Sequence, residues 1–247
     1  MINFIREMKD NGSYKIFFIS DSAATIDFGN VIDEQINTNV ITLFNYLLQH
    51  RLDGMIEAIP AYSSLSVYFD FNLLRKRIPQ QKKVYEWIEN ELHKLMRFDF
   101  TGHEAEKNLV RIPVCYEGEF AIDLHSIAMQ KNISIQEIIH LHSSRKYRVY
   151  MLGFLPGFAY MGEVEERIAV RRKIEPQPIL AGSVGIAGKQ TGIYPLNSPG
   201  GWQIIGRTPL KMFDKNKTEP CLLQAGDSVE FYSITRDEFE NYQSRNT

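Results

Sequence analysis

The sequence has little cysteine, no long apolar run and almost no net charge, and each of these features narrows the class of protein. Two cysteines, Cys115 and Cys221, are too few for a disulfide framework. No segment approaches the roughly 20 apolar residues that a membrane-spanning helix needs, and the charged start MINFIREMKD is unlike a signal peptide. A net charge of −2 leaves no basic surplus for nucleic acid. We therefore expect a cytoplasmic protein with reduced thiols that binds neither nucleic acid nor membrane.

Common catalytic motifs are missing as well. If Gly188-Lys189 belonged to a phosphate-binding loop, position 183 would be glycine and position 190 would be Ser or Thr, but these are Ser183 and Gln190. His140 and His142 lie two residues apart, so on a helix they would not share a face, which favours a structural histidine over a metal ligand. We expect no metal site and little or no activity from the isolated chain.

The hydrophobic pattern divides the chain into two parts. The first part alternates strand and helix patterns in the order strand, strand, helix, strand, strand, helix, with strands at 14–20, 24–28, 55–59 and 65–69 and helices from 31 and at 80–97. This order is typical of an α+β domain. The polar, turn-rich segment FDFTGHEAEKN at 98–108 is the expected boundary. Beyond it, short strand-like runs separated by Gly and Pro indicate a β-barrel or sandwich.

Residues 153–209 hold 10 of the 16 glycines and 6 of the 10 prolines. Long helices are excluded there because glycine loses entropy on folding and proline lacks an amide donor. The segment GFLPGFAYMG places aromatic rings in a turn, where exposed rings would suit a partner surface. The alternative is that these rings close one end of the barrel, and the sequence favours neither interpretation.

The glycine motif at 181–192 and the residue Arg207 each have two interpretations, and the basic run at 171–173 has one. AGSVGIAGKQTG at 181–192 is typical of a series of β-turns in a barrel, or of a nest of backbone amides that binds an anion beside Lys189. Arg207 suits an anion site or a structural salt bridge. The run Arg171-Arg172-Lys173 is most simply a solvated face.

Five segments resemble a known family in the same order along nearly the whole chain. They are SDSAATIDFG at 20–29, IPAYSSLSVYFD at 59–70, PVCYEGEF at 113–120, YRVYMLGFLPGFAYMG at 147–162 and GSVGIAGKQTGIYPLNSPGGWQIIGRTP at 182–209. The last segment is long and highly specific. On these motifs the sequence resembles the KipI / allophanate hydrolase subunit 1 family. The resemblance implies an α+β N-terminal domain, residues 1–98, followed by a cyclophilin-like β-barrel domain, residues 99–247.

The resemblance also implies a function. Members include the B subunit of an ATP-dependent 5-oxoprolinase, which opens pyroglutamate to glutamate. Such a subunit is expected to work only with a KipA/PxpC-type subunit, of the allophanate hydrolase subunit 2 family, and a LamB/PxpA-type subunit. ATP and Mg²⁺ are expected in that complex and not on this chain alone. Two alternatives remain open: a KipI-type inhibitor of a sensor histidine kinase, and a subunit of a urea or allophanate pathway.

An anionic substrate favours Arg207 as a catalytic residue, because a guanidinium group binds carboxylate or phosphate through two parallel hydrogen bonds. Lys189 and Gln190 are its weaker companions. The expected substrate or partner surface comes from the glycine-rich segment and comprises Phe154, Pro156, Gly157, Phe158, Tyr160, Ser183, Gly188, Tyr194 and Trp202.

Overall fold

A computed structural model of the chain describes residues 14–97, 108–153 and 155–245. The chain divides into two compact units, residues 1–106 and residues 107–247. Within the described residues no helix is long and apolar enough to cross a lipid bilayer.

The first unit contains a four-stranded antiparallel sheet in the order β1-β2-β4-β3. Its strands are β1 (Lys15–Ser20), β2 (Ala23–Asp27), β3 (Met55–Pro60) and β4 (Ser64–Phe69), and its helices are α1 (Glu34–Gln49), α2 (Phe71–Arg77) and α3 (Val84–Leu95). Alternate residues of the strands, among them Ile26 and Val67, form a buried core with apolar residues of α1 and α3. Side-chain caps position two of these helices, because Asp33 accepts from the Ile36 amide and Asp70 from the Leu73 amide.

The first unit differs from the predicted element order by one helix. The seven residues of α2 make fewer than two turns, which is too short to show a helical period in the sequence. Helix α3 also begins at Val84 rather than at residue 80.

The second unit contains the predicted β-barrel, and this prediction is confirmed. Seven strands close in the order β10-β7-β6-β13-β5-β12-β9. They are β5 (Leu109–Cys115), β6 (Lys146–Leu152), β7 (Ala159–Gly162), β9 (Ser183–Ala187), β10 (Gln190–Ile193), β12 (Gln203–Arg207) and β13 (Ser228–Ile234). Strands β8 (Gln177–Ile179) and β11 (Ser198–Gly200) form a separate pair, and the helices are α4 (Leu124–Lys131), α5 (Ile135–Ser143) and α6 (Arg236–Arg245).

Apolar side chains from the barrel strands fill its interior, where Val149, Met161, Ile186 and Phe231 are buried with residues of α4 and α5. Strand β5 is parallel to β13 and joins β12 through one residue pair, Cys115 with Arg207. The glycine-rich residues 183–207 thus lie mainly in the barrel strands β9, β10 and β12 and in β11 of the separate pair.

Candidate functional site

A cavity of about 360 Å³ lies beside the β9–β10 hairpin of the barrel. Its lining residues are Tyr160, Arg171, Arg172, Ala187, Gly188, Gln190 and Trp202. Four of the predicted site residues therefore meet here: Tyr160, Gly188, Gln190 and Trp202. Two others, Arg171 and Arg172, belong to the basic run that was interpreted from the sequence as a solvated face.

The aromatic rings of the glycine-rich segment form a cluster at this cavity. The ring centroid of Phe158 lies 5.1 Å from that of Tyr194 and 5.4 Å from that of Trp202, both edge-on. The Tyr160 ring lies 4.8 Å from Phe158 and 5.8 Å from Trp202. Offset and edge-on contacts of this kind stabilise aromatic clusters. The cluster gives the cavity a rigid apolar wall.

Of the two interpretations of this segment, the burial of Phe158, which is only 4% exposed, supports the alternative in which the ring packs into the barrel and not the exposed surface. Its ring is buried because Tyr194, Trp202, Ile179 and Ile204 surround it in one apolar cluster. Tyr160 is half-buried, Pro156 is exposed and Gly157 is buried. Phe154 lies outside the described residues.

The glycine motif forms a hairpin whose turn is at Gly188-Lys189. The Gly188 amide donates to the Val170 carbonyl at 2.6 Å, and the Gly182 amide donates to the Tyr194 carbonyl at 2.7 Å. Gly182 has φ +84°, and a Cβ atom there would lie 2.4 Å from the Thr208 carbonyl oxygen. These two amides are committed to barrel hydrogen bonds, which favours the turn interpretation over the anion nest.

Arg207 and Ser183 lie apart from the residues that line the cavity. They face each other in the β9–β12 pairing, and Ser183 is buried. The Arg207 Nε donates to the Ala181 carbonyl at 2.8 Å, and its guanidinium carbon lies 5.9 Å from the centre of the Phe239 ring. Burial lowers the pKa of this guanidinium group. No carboxylate in the described part of the chain pairs with Arg207, so the salt-bridge alternative does not hold there.

Lys189 is neutralised by a neighbour on the surface. Its Nζ lies 2.7 Å from Glu166 Oε2, and both side chains are exposed. The hydrogen bond and the charge of each partner raise the pKa of Lys189 and lower that of Glu166. Lys189 also lies outside the cavity lining, whereas its sequence neighbour Gln190 belongs to it.

The loop that carries Arg171 and Arg172 is fixed at both ends. Val170 forms a β-bridge with Gly188. The Lys173 amide donates to the Gly201 carbonyl at 2.7 Å, and its Nζ lies 2.7 Å from Asp123 Oδ2. Arg171 and Arg172 are exposed, as expected of a solvated face, and they also line the cavity, whereas Lys173 is largely buried in its ion pair with Asp123. One feature of the sequence could have indicated this cavity position and this ion pair. It is the basic run 171–173, which directly follows an apolar residue within the glycine-rich barrel segment.

A series of buried polar side chains, linked by hydrogen bonds, connects Thr191 of β10 with His142 and Tyr116. Thr191 donates its hydroxyl proton to the Gly185 carbonyl at 3.1 Å, so its oxygen accepts from His142 Nε2 at 2.9 Å. His142 Nδ1 then accepts from the Tyr116 hydroxyl at 2.8 Å. Burial lowers the pKa of His142 from 6.5 to about 3 and raises the pKa of Tyr116. The structural interpretation of His142 is thus supported, because both ring nitrogens have partners within the fold.

The family follows from comparison with known proteins. Residues 14–223 match the family described as carboxyltransferase domain, subdomain C and D. The chain belongs to this family. It is 42% identical over 232 residues to the B subunit of 5-oxoprolinase from Bacillus subtilis, and the match covers 93% of this chain and 97% of the relative. It is also 42% identical to the B subunit of 5-oxoprolinase from Haemophilus influenzae, over 74% of this chain and 81% of the relative.

A solved structure supports the same architecture. The crystal structure of TTHA0988 superimposes with a TM-score of 0.73 at 34% identity and covers 86% of this chain. The chain spans 40% of that longer protein. The barrel is therefore a fold shared with a related protein of known structure.

Proposed function

We propose that the chain is the B subunit of an ATP-dependent 5-oxoprolinase, which converts pyroglutamate to glutamate in the cytoplasm. The observation that carries this proposal is the 42% identity to the Bacillus subtilis relative over almost the full length of both chains. The chain would work with a KipA/PxpC-type and a LamB/PxpA-type partner. We further propose that residues 1–98 and 99–247 are separate domains, the second a cyclophilin-like barrel.

The proposed requirement for ATP and Mg²⁺ belongs to the assembled complex. Among the described residues no group of three or more His, Cys, Asp or Glu side chains could hold a metal ion. The Gly188-Lys189 turn lacks the residues of a phosphate-binding loop, and Lys189 is paired with Glu166. These described residues therefore do not fit a nucleotide–magnesium site, and we propose that the isolated chain has little or no activity.

What this chain contributes is a pre-formed surface for a small anion and for its partners. Gln190 lines the cavity, and the exposed turn at Pro156 lies beside the aromatic cluster in sequence. Arg207 is a second candidate for contact with an anion in the complex, because in the described part of the chain its charge has no carboxylate partner. Charged hydrogen bonds to substrate oxygens are the contacts that such a reaction uses.

Genetic complementation tests the proposed function. The gene would be expressed in a bacterium whose own copy of this 5-oxoprolinase component has been deleted, with pyroglutamate as the sole nitrogen source. Growth that also depends on the host's other two components would support the proposal. Absence of growth from a chain that is expressed and folded would count against it, and inhibition of a sensor histidine kinase by the purified chain would then favour the regulatory alternative.

A further inference from the structure

We propose that Arg171 and Arg172 form the anion-binding element of the cavity beside the β9–β10 hairpin. The ligand class is a small molecule that carries a carboxylate or phosphate group next to an amide. The choice of pyroglutamate as the probe rests on the proposed function. The existence of an anion site rests only on the charge and geometry of the loop.

Among the residues that the structure describes, no carboxylate neutralises the two arginines. The neighbouring basic residues differ, because Lys173 pairs with Asp123 and Lys189 with Glu166. Two adjacent cations without a carboxylate partner repel each other, and a bound anion would remove that repulsion.

The loop that carries the two arginines is held in place before any ligand binds. The Val170 carbonyl accepts from the Gly188 amide on one side, and the Lys173 amide donates to the Gly201 carbonyl on the other. Between these anchors the Arg171 carbonyl accepts a hydrogen bond from Gln203 Nε2 at 3.2 Å. A fixed backbone lowers the entropy cost of binding, and only the arginine side chains remain to be ordered.

The remaining cavity wall combines an aromatic ring with a side-chain amide. The half-buried Tyr160 ring can pack against a small flat ring, and Gln190 adds a side-chain amide. The Trp202 ring is only 1% exposed and supports Tyr160 at a centroid distance of 5.8 Å. A volume of about 360 Å³ is suited to a small molecule. A five-membered lactam with a carboxylate matches these features, as its ring, amide and charge each meet a complementary group.

The test uses the full chain and isothermal titration calorimetry with three probes. Pyroglutamate carries the lactam and the carboxylate, 2-pyrrolidinone has the same lactam without the charge, and inorganic phosphate has the charge alone. The variants are Arg171→Gln, Arg172→Gln and the double substitution. Arg145→Gln is the matched control, since Arg145 is an exposed arginine outside this cavity.

We expect the double substitution to weaken binding of pyroglutamate roughly ten-fold or more, while Arg145→Gln leaves it unchanged. We also expect 2-pyrrolidinone to bind weakly and to bind equally well to the arginine variants. This result would show that the arginines recognise the carboxylate of pyroglutamate and not its lactam ring. If phosphate competes with pyroglutamate, the site accepts phosphate oxygens as well as a carboxylate. If phosphate alone binds and the double substitution weakens it, phosphate is the ligand.

Two results would overturn the proposal. One is that neither anion binds the wild-type chain at millimolar concentration. The other is that the double variant binds them as the wild type does. Failure of the proposed function would look different, because a reconstituted complex would then lack pyroglutamate-dependent ATP hydrolysis even if the isolated chain bound the anion through Arg171 and Arg172.

Discussion

The Nζ of Lys173 lies 2.7 Å from the Oδ2 of Asp123, and the two side chains are only 12% and 16% exposed. The same carboxylate oxygen accepts a hydrogen bond from the Ile204 amide at 2.7 Å. This arrangement joins the loop before β8 to strand β12 and to the start of helix α4. The two arginines directly precede Lys173, so this ion pair helps to hold the loop that carries them.

Breaking this ion pair should destabilise the barrel. We expect Asp123→Ala to lower the free energy of unfolding by about 3 kcal/mol, because it leaves a largely buried ammonium group and the Ile204 amide without a partner. Urea denaturation followed by circular dichroism measures this change. Lys211→Met is the control, since Lys211 is exposed and its pair with Asp214 should contribute less than about 1 kcal/mol. Equal effects of the two substitutions would contradict the account.

His142 should make the stability of the fold depend on pH. Burial lowers its pKa from 6.5 to about 3. At a pH between these two values, the unfolded chain binds a proton at this histidine and the folded chain does not. Stability from this group is complete above pH 6.5 and is lost as the pH falls from 6.5 towards 3. The slope should approach about 1.4 kcal/mol per pH unit.

His142→Gln removes this titration, while His140→Gln changes an exposed histidine on the same helix. Unfolding free energies between pH 7 and pH 5 should therefore fall more steeply for wild type and His140→Gln than for His142→Gln. Parallel curves for all three proteins would show that His142 titrates normally in the folded state.

Phe158 should act mainly through stability. Its ring is buried between Tyr194 and Trp202, so Phe158→Ala should cost about 3–5 kcal/mol by removing apolar contacts and leaving a cavity. Pro156→Ala, in the exposed part of the same turn, should change stability by less than about 0.5 kcal/mol. Thermal unfolding of both variants decides the matter, and an unchanged melting temperature for Phe158→Ala would contradict its place in the core.

Arg207→Lys separates two roles for this residue. If Arg207 contacts an anion in the complex, the substitution should lower activity roughly ten- to a hundredfold while assembly persists, because lysine keeps the charge and loses the planar pair of donors. If Arg207 only braces the barrel through the Ala181 carbonyl, the melting temperature should fall and the specific activity of the surviving complex should stay near normal. Measuring both quantities on one preparation, with Arg145→Lys as control, distinguishes the two.

Local chemistry explains which structural features the sequence could predict. The barrel followed from the spacing of glycine and proline, because those residues exclude long helices wherever they occur. Gly182 illustrates this, since its φ of +84° and the nearby Thr208 carbonyl leave no room for a side chain. Helix α2 was missed because its seven residues give too little periodicity.

The candidate site was harder to predict from the sequence because it depends on contacts between residues that are far apart along the chain. Whether Phe158 is exposed is decided by Tyr194 and Trp202, which lie 36 and 44 positions further along the chain. The arginine pair looked like an ordinary charged surface, since nothing local shows that Val170 bridges to Gly188 or that Lys173 reaches Asp123. Only the closed barrel brings these segments to one cavity.

Reconstitution from purified components tests whether this chain is one of three subunits of a 5-oxoprolinase. The chain would be combined with its KipA/PxpC-type and LamB/PxpA-type partners, and pyroglutamate-dependent ATP hydrolysis would be measured with each component omitted in turn. We predict activity only when all three are present, and none from this chain alone. Robust activity from this chain alone would contradict the proposed function. ATP hydrolysis by the complete mixture that does not depend on pyroglutamate would contradict it as well.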